Sequence, residues 1–499
     1  MGCGDDDDDR GEGGNTAAAG QPTTAAATGG KVVIATPAEP AHLNSVKSSF
    51  ARAYLNGNVL QPLVWYNHDL TPEPMLAESW EQPEPTLWRF KIRKGVKFHN
   101  GEPLTVEDVV ASLKYQLDPA NTVDQLNLLG PISDVKAVDE TTVEVRTKSI
   151  SPVQPKRLLF GPIVPKSIID AGVKSLETLP VGTGPYKFKE WNRGSSLTFE
   201  RNPEYWGDKP FFDEAVFRFI PERNVQLQAI KAGEVDLAGL TVDLAKEAPQ
   251  TIVLDTPGML GIRIDCIKPP TSDYRVRLAL NLAIDRQEII DTLYGGYGKP
   301  ATQIVPSTSP GYLASLAPFK QDVNKAKSLI KEAGVEGATL SMIGLTGSAD
   351  SDFVEAVVPL FEAIGLKIKL SLVDQDTWLK EGIFGNASHN IADPVDLVVF
   401  GHNDTLGDPY RQWDTMVICN GSYGAMCDPA LEKLVDQTRT EADAKKALAI
   451  HEQINKETYD KVLPWIMVKT TTSFYAASKG LKFAGHPEGL WPLFKMSRG

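Results

Sequence analysis

Residues 339–345 read TLSMIGL, 352–364 DFVEAVVPLFEAI, 366–373 LKIKLSLV, 375–382 QDTWLKEG and 396–400 DLVVF. The first, third and fifth runs have the length and aliphatic content of strands, and the second and fourth have helical spacing, so the segment predicts β-α-β-α-β. In the third run Leu366, Ile368, Leu370 and Leu372 alternate with Lys367, Lys369 and Ser371, which predicts one buried face and one wet face. Such alternation winds a sheet with helices packed on it, an α/β architecture. Ligands of open α/β sheets bind beyond the carboxyl ends of the strands. The segment after Phe400, Gly401-His402-Asn403-Asp404-Thr405-Leu406-Gly407-Asp408-Pro409, is therefore predicted to be a functional loop.

Upstream the plan stays mixed. Strands are predicted at Lys31 to Thr36, at Leu87 to Arg93 with Trp88, Phe90 and Ile92 on one face, and at Thr142 to Thr147. Thr105 followed by Asp108 is a capping-box start for a helix through Tyr115. One helix is predicted from Asp273 to Leu293, ended by Gly295-Gly296, and another from Asp322 to Gly334. Cys266 lies in a strand-like stretch and reads as a buried small hydrophobe.

With 499 residues the chain holds about three domain-sized units. No window of 18 apolar residues occurs, which excludes a spanning helix in this sequence. Lys and Arg number 51 against 64 Asp and Glu, and no basic block offers a phosphate footprint, so nucleic acid is not an expected partner. Residues 1–30 hold Asp5 to Asp9 and little that can be buried, the composition of a disordered tether. They carry six acids against Arg10, leaving −8 of the net −13 to the remainder, an ordinary value for a soluble surface. Gly2-Cys3 before a flexible polar stretch has the form of the end of a bacterial lipoprotein signal, Cys3 being the lipid-bearing residue and Met1 an added start. Two other readings stand beside it: a frayed-end cysteine of no consequence, and a myristoylation start, against which Asp6 stands where Ser or Thr is required.

Catalytic signatures are missing. His451-Glu452 lacks the second histidine of a zinc-protease helix, and Gly182-Thr183-Gly184 and Gly296-Tyr297-Gly298 run into Pro185 and Pro300 instead of opening a phosphate-binding helix. The seven histidines, at 42, 68, 99, 389, 402, 451 and 486, form no i, i+4 metal face, and no Cys-x-x-Cys occurs. No metal or cofactor is expected. Cys419 and Cys427 flank the turn-rich Asn420-Gly421-Ser422-Tyr423-Gly424, a loop short enough for a disulfide in an oxidising compartment.

The segments AESW (77–80), LWRFKIRKGVKFHNG (87–101), LTVEDV (104–109), GTGPY (182–186) with NPEYW (202–206), RLALNLAIDR (277–286) and the stretch 322–334 occur in the order seen in family 5 extracytoplasmic solute-binding proteins. The chain resembles that family, the peptide, nickel and opine receptors of ABC importers, over about 31–499. The resemblance implies a two-lobed periplasmic-binding-protein fold of the large class (type II, cluster C). Lobe 1 would combine 31–60, 182–264 and 474–499, with an extra domain at 61–181, and lobe 2 would span 265–473. Chain crossings near 264 and 474 would form the hinge, and a ligand touching both lobes would favour closure. The expected partners are a small-molecule or short-peptide ligand and a separate ABC permease with its ATPase subunits. The receptor would be a monomer outside the cytoplasm, meeting the membrane only through the Cys3 lipid.

In the family's peptide receptors an acidic residue after the wound strand takes the ligand ammonium, and the matching place here is Asp408. His402, Asn403 and Asp404 share that loop, Trp378 and Trp413 are candidate flat walls, and His42 and Tyr54 follow the opening strand where the family supplies main-chain contacts. Two roles compete for Asp408: a ligand contact, and a turn before Pro409. One departure stands out. Where dipeptide receptors carry an arginine for the ligand carboxylate, this chain reads Ser348-Ala349-Asp350-Ser351-Asp352, so a cationic, sugar-like or neutral solute competes with a peptide. An extracellular hydrolase and a chemoreceptor-docking or chaperone protein on the same fold are the alternative classes.

Overall fold

The computed structural model describes residues 29–121, 126–346, 351–385, 394–404, 406–421, 423, 424 and 426–499. Cys3, the tether at 1–28, Ser348 to Asp350, Thr405 and Ser422 lie outside them.

A ten-stranded mixed sheet runs through the molecule. Its strands are ordered Lys367–Val373, Thr339–Leu345, Leu397–Asn403, Gln250–Ile264, Trp465–Ala477, Leu237–Leu240, Lys31–Thr36, Glu214–Phe219, Ser196–Arg201 and Tyr186–Asn192. The two central strands, 15 and 13 residues long, belong to both halves of the sheet. Gln250 to Asp255 pairs with Ala477 to Thr472, and Met259 to Arg263 pairs with Thr470 to Trp465. Between Asp255 and Met259 the register breaks. The cause is local: Pro257 has no N–H for the ladder, so Thr256-Pro257-Gly258 bulges out. This break, called the crossing below, lies at 256–258 opposite 470–472, a few residues from positions 264 and 474.

Separate cores form on either side of the crossing. Val32, Ile34, Phe199, Phe217 and Tyr475 anchor one, and Ala35, Leu227 and Ala238 cover the other face of the same half-sheet. Leu260, Ile262, Leu280, Phe353 and Phe361 fill the core of the second half, and Phe400, Trp413 and Trp465 its opposite face. A four-stranded antiparallel sheet of Ala77–Glu84, Leu87–Ile92, Thr142–Thr147 and Ile132–Asp139 builds a third core around Phe90, Val109 and Phe160. Its helix Val106–Leu117 starts with the Thr105–Asp108 capping box. Leu406 crosses from the second half and is fully buried in this third core.

The wound segment is present, with Thr339–Leu345 parallel to both Lys367–Val373 and Leu397–Asn403. Three details differ from the sequence expectation. The Asp273–Leu293 helix is two helices, Tyr274–Leu282 and Arg286–Leu293, because Asp285 caps a new N-terminus by accepting from Glu288 N–H. Lys367–Val373 is an edge strand, so its apolar face is only partly covered and Leu372 stays 37 % exposed. The strand expected to end at Phe400 continues to Asn403, because Gly258 to Ile264 offers it an antiparallel partner over that length. Gly401, His402 and Asn403 are therefore strand residues instead of loop.

The Gly182-Thr183-Gly184 turn is closed to phosphate, since Gly184 N–H donates to Val59 O at 3.0 Å. A Cβ on Gly182 or Gly184 would overlap the backbone of Val59 or Asn58, so these glycines permit close chain approach.

Candidate functional site

A cavity of about 520 Å³ opens over the register break. The second half contributes Phe400, His402, Asn403, Arg411 and Tyr423, the crossing contributes Thr256, Thr471 and Ser473, and the first half contributes Tyr475, His486 and Glu488. A second cavity of about 350 Å³ shares Thr256 and reaches His68, Asp69 and Leu70. Both border the register break, and the first lies at the carboxyl end of Leu397–Asn403.

One wall is aromatic. Phe400 packs against Tyr423 with centroids 5.0 Å apart, stacks with Trp378 at 6.0 Å and with the His402 ring at 5.9 Å, and meets Trp465 at 5.6 Å. Residues 400 and 402 share a face because a strand repeats every two residues. Tyr423 is carried on the loop closed by the Cys419–Cys427 disulfide. Such flat surfaces suit the apolar parts of a solute.

The polar groups of the cavity differ in how far they are already bound. His486 Nε2–H donates to Tyr66 O at 3.0 Å while its Nδ1 accepts from Glu488 N–H at 3.1 Å, and burial holds its pKa down near 3. Glu488 faces Arg52 at 3.6 Å, both side chains nearly buried, and the Arg52 guanidinium lies 4.6 Å from the Phe160 ring centroid. His402 is 6 % exposed and lies beside the Gln412 side chain. Burial, and secondarily the nearby Arg411 charge, lowers its pKa to about 3, so it is neutral at physiological pH. Arg411 is half-buried on the short helix Pro409–Gln412.

Of the residues singled out in the sequence, only His402 and Asn403 line this cavity. Trp378 backs it through Phe400 and donates its indole N–H to Val399 O. Trp413 is fully buried, with Nε1–H donating to His451 Nδ1 at 2.8 Å, so it is a core residue and not a cavity wall. Tyr54 is also core: it is 3 % exposed, and its hydroxyl donates to Ala38 O at 2.9 Å. His42 accepts from Asn44 N–H and closes its own turn. Asp404 is fully buried and accepts from Ser309 Oγ and from Asp408 N–H. Burial raises its pKa.

Asp408 does two structural things. It caps the Pro409–Gln412 helix by accepting from Tyr410 N–H, and it forms a buried ion pair with Arg157. Arg157 ends the helix Gln154–Arg157 beside the four-stranded domain, and its neighbour Lys156 donates to Leu406 O at 3.1 Å. In this conformation the Asp408 carboxylate is neutralised by the protein itself and holds two parts of the molecule together.

Arg411, Tyr423 and Glu488 were not singled out by sequence reasoning. Arg411 lies three residues past Asp408, on the helix that Pro409 opens, and that spacing was the available signal. Glu488 comes from the far end of the chain, where pattern carries no hint of proximity. Cys266 is half-buried beside the second core, and burial pushes its thiol up to about 12. Among the described residues no helix is long and apolar enough to cross a membrane.

The geometry agrees with three comparisons. Residues 71–424 match the family model for bacterial extracellular solute-binding proteins, family 5. The dipeptide-binding protein of Escherichia coli K12 is 27 % identical over 451 residues, covering 82 % of this chain and 83 % of that protein. Among solved structures, AgaA from A. tumefaciens R10 in complex with agropinic acid shares 26 % identity with a TM-score of 0.78, covering 94 % of this chain and 99 % of that one. NikA from Brucella suis in complex with Fe(III)-EDTA superposes with a TM-score of 0.84 at 22 % identity, covering 94 % and 100 %. On these grounds the chain belongs to the family 5 bacterial extracellular solute-binding proteins, which bind solutes outside the cytoplasm and do not transform them.

Proposed function

We propose that this chain is the lipid-anchored receptor of an ABC importer, taking a peptide or peptide-like solute between two lobes hinged at Thr256–Gly258 and Thr470–Thr472. The observation that carries the reading is the cavity itself: it straddles the larger of the two register shifts between the central strands, at Asp255 to Met259. A solute held there touches both halves and so favours the arrangement in which they meet. The lobes are proposed as 31–60 with 182–264 and 474–499, carrying the extra domain 61–181, and 265–473, with the inner bounds drawn back to the hinge at 256–258 and 470–472 because Leu260, Ile262 and Ile264 pack in the second core. The separate cores support this division. Cys3 would tether the receptor to the outer face of the membrane, where a permease with its ATPase subunits receives the solute.

The relatives named above bind a dipeptide, agropinic acid and Fe(III)-EDTA, and a cavity of about 520 Å³ is of the size that holds such small solutes. The test is native mass spectrometry of the protein purified without denaturation, with and without incubation in a peptide digest. Retention of a single class of small molecule, released on unfolding, is expected; a protein that never retains one contradicts the reading. Expression of the precursor in a bacterial host, with metabolic labelling by a fatty acid, tests the anchor: label is expected on wild type and absent from Cys3→Ala.

A further inference from the structure

We propose that Arg411 sets the specificity of the cleft by pairing with a carboxylate or comparable oxyanion on the ligand, an inference that rests on the receptor reading. Two charged residues line the cavity among the described residues, Arg411 and Glu488. Glu488 is already opposed by Arg52. The Arg411 guanidinium makes no ion pair or hydrogen bond with any described residue, and it lies close enough to Arg52 for its charge to disfavour that of Arg52. Three charges, two positive and one negative, thus meet at the cleft, and an anionic group between the lobes would neutralise the excess. The planar guanidinium fork also matches an oxyanion in geometry.

The acids that would oppose this are engaged elsewhere. Asp408 is paired with Arg157, and Asp404, which is in electrostatic range of Arg411, is sealed behind Ser309. His402, on the same wall, is 94 % buried and lies beside the Gln412 side chain, so it adds no charge of its own to the cleft.

The test is calorimetry on the full chain with Ala-Ala, Ala-Phe and tri-alanine, each as free acid and as C-terminal amide, against wild type, Arg411→Gln and Arg411→Lys. Acids are expected to bind at least about 30-fold more tightly than their amides. Arg411→Gln should bring the acids down to the level of the amides without changing amide affinity or melting temperature, and Arg411→Lys should recover part of the preference. Amides binding as tightly as acids, or an Arg411→Gln protein that keeps the preference, overturns the inference while leaving the receptor reading intact. So does a uniform loss of binding accompanied by lower stability. If none of the six probes binds, the peptide reading fails, and the solute retained through purification decides for Arg411: an oxyanion in it supports the assignment, and a molecule without one overturns it.

Discussion

Arg157→Met removes one member of a buried ion pair and leaves the Asp408 carboxylate facing an apolar side chain. The pair members are 7 % and 1 % exposed, so water does not reach Asp408 as the lobes stand. Removing one partner of such a pair costs about 3–5 kcal/mol, because the remaining charge is buried without compensation. The pair joins the extra domain to the second half of the main sheet and depends on both being together. In the hinged account the penalty therefore falls on the closed arrangement, since in an open one Asp408 is hydrated. Apparent ligand affinity should fall by about two to four orders of magnitude, with the solute identified by mass spectrometry as the titrant. The double variant Arg157→Met/Asp408→Asn removes both charges and should recover most of that loss, as expected when the damage comes from an orphaned charge. Calorimetry on the four proteins measures the coupling, and urea unfolding without ligand measures what remains on the fold. A coupling near zero, or a loss that appears entirely as lower stability of the unliganded protein, refutes the reasoning.

Four further outcomes are expected. Burial depresses His99 and His451 to about 4 and His402 and His486 to about 3. The folded chain therefore binds fewer protons than the unfolded one below about pH 6.5, and stability present above that pH is lost as pH falls toward 4, at up to about 1.4 kcal/mol per pH unit for each histidine; a urea midpoint unchanged between pH 7 and pH 4.5 would contradict it. Cys419→Ser/Cys427→Ser opens a loop with a sequence separation of 8 and should cost about 2.5 kcal/mol while weakening solute binding through the Tyr423 wall, and unchanged affinity would separate that loop from the site. Gly258→Ala places a methyl group against Asn403 Oδ1 and Thr471 Oγ1 at the crossing and should destabilise by about 1–3 kcal/mol, read by thermal unfolding; a melting temperature equal to wild type would show that the crossing relaxes freely. Leu406→Ala empties a fully buried position in the extra domain's core and should cost about 2–5 kcal/mol, divided between closure and fold, with no effect on either arguing against Leu406 as a link between domains.

The fold was legible where local pattern and burial coincide. Thr339–Leu345 and Thr142–Thr147 appear with the expected bounds, and the Thr105–Asp108 capping box forms as its spacing requires. What escaped was decided by neighbours distant in sequence. Leu397–Asn403 is longer than its apolar run because Gly258 to Ile264 pairs with it, and Lys367–Val373 is half-covered because no strand flanks its outer side. Asp285 broke the long helix by capping the Arg286–Leu293 helix, accepting from Glu288 N–H. The site was legible in region more than in residue. The strand end at Phe400 to Asn403 does face the cavity, but Asp408 turned inward to an arginine 251 positions away, a pairing that pattern cannot show. Trp413 and Tyr54 went to the core because their polar ends find partners there, His451 and Ala38.

The central claim is that a solute bound over the register break draws the two lobes together. Small-angle scattering of the monodisperse full chain, first stripped of retained solute by mild denaturant and refolding and then titrated with that solute, tests this most directly. The account predicts a smaller radius of gyration on saturation, reversed on stripping and weakened in Arg157→Met. A radius that stays the same when calorimetry shows full occupancy would contradict it.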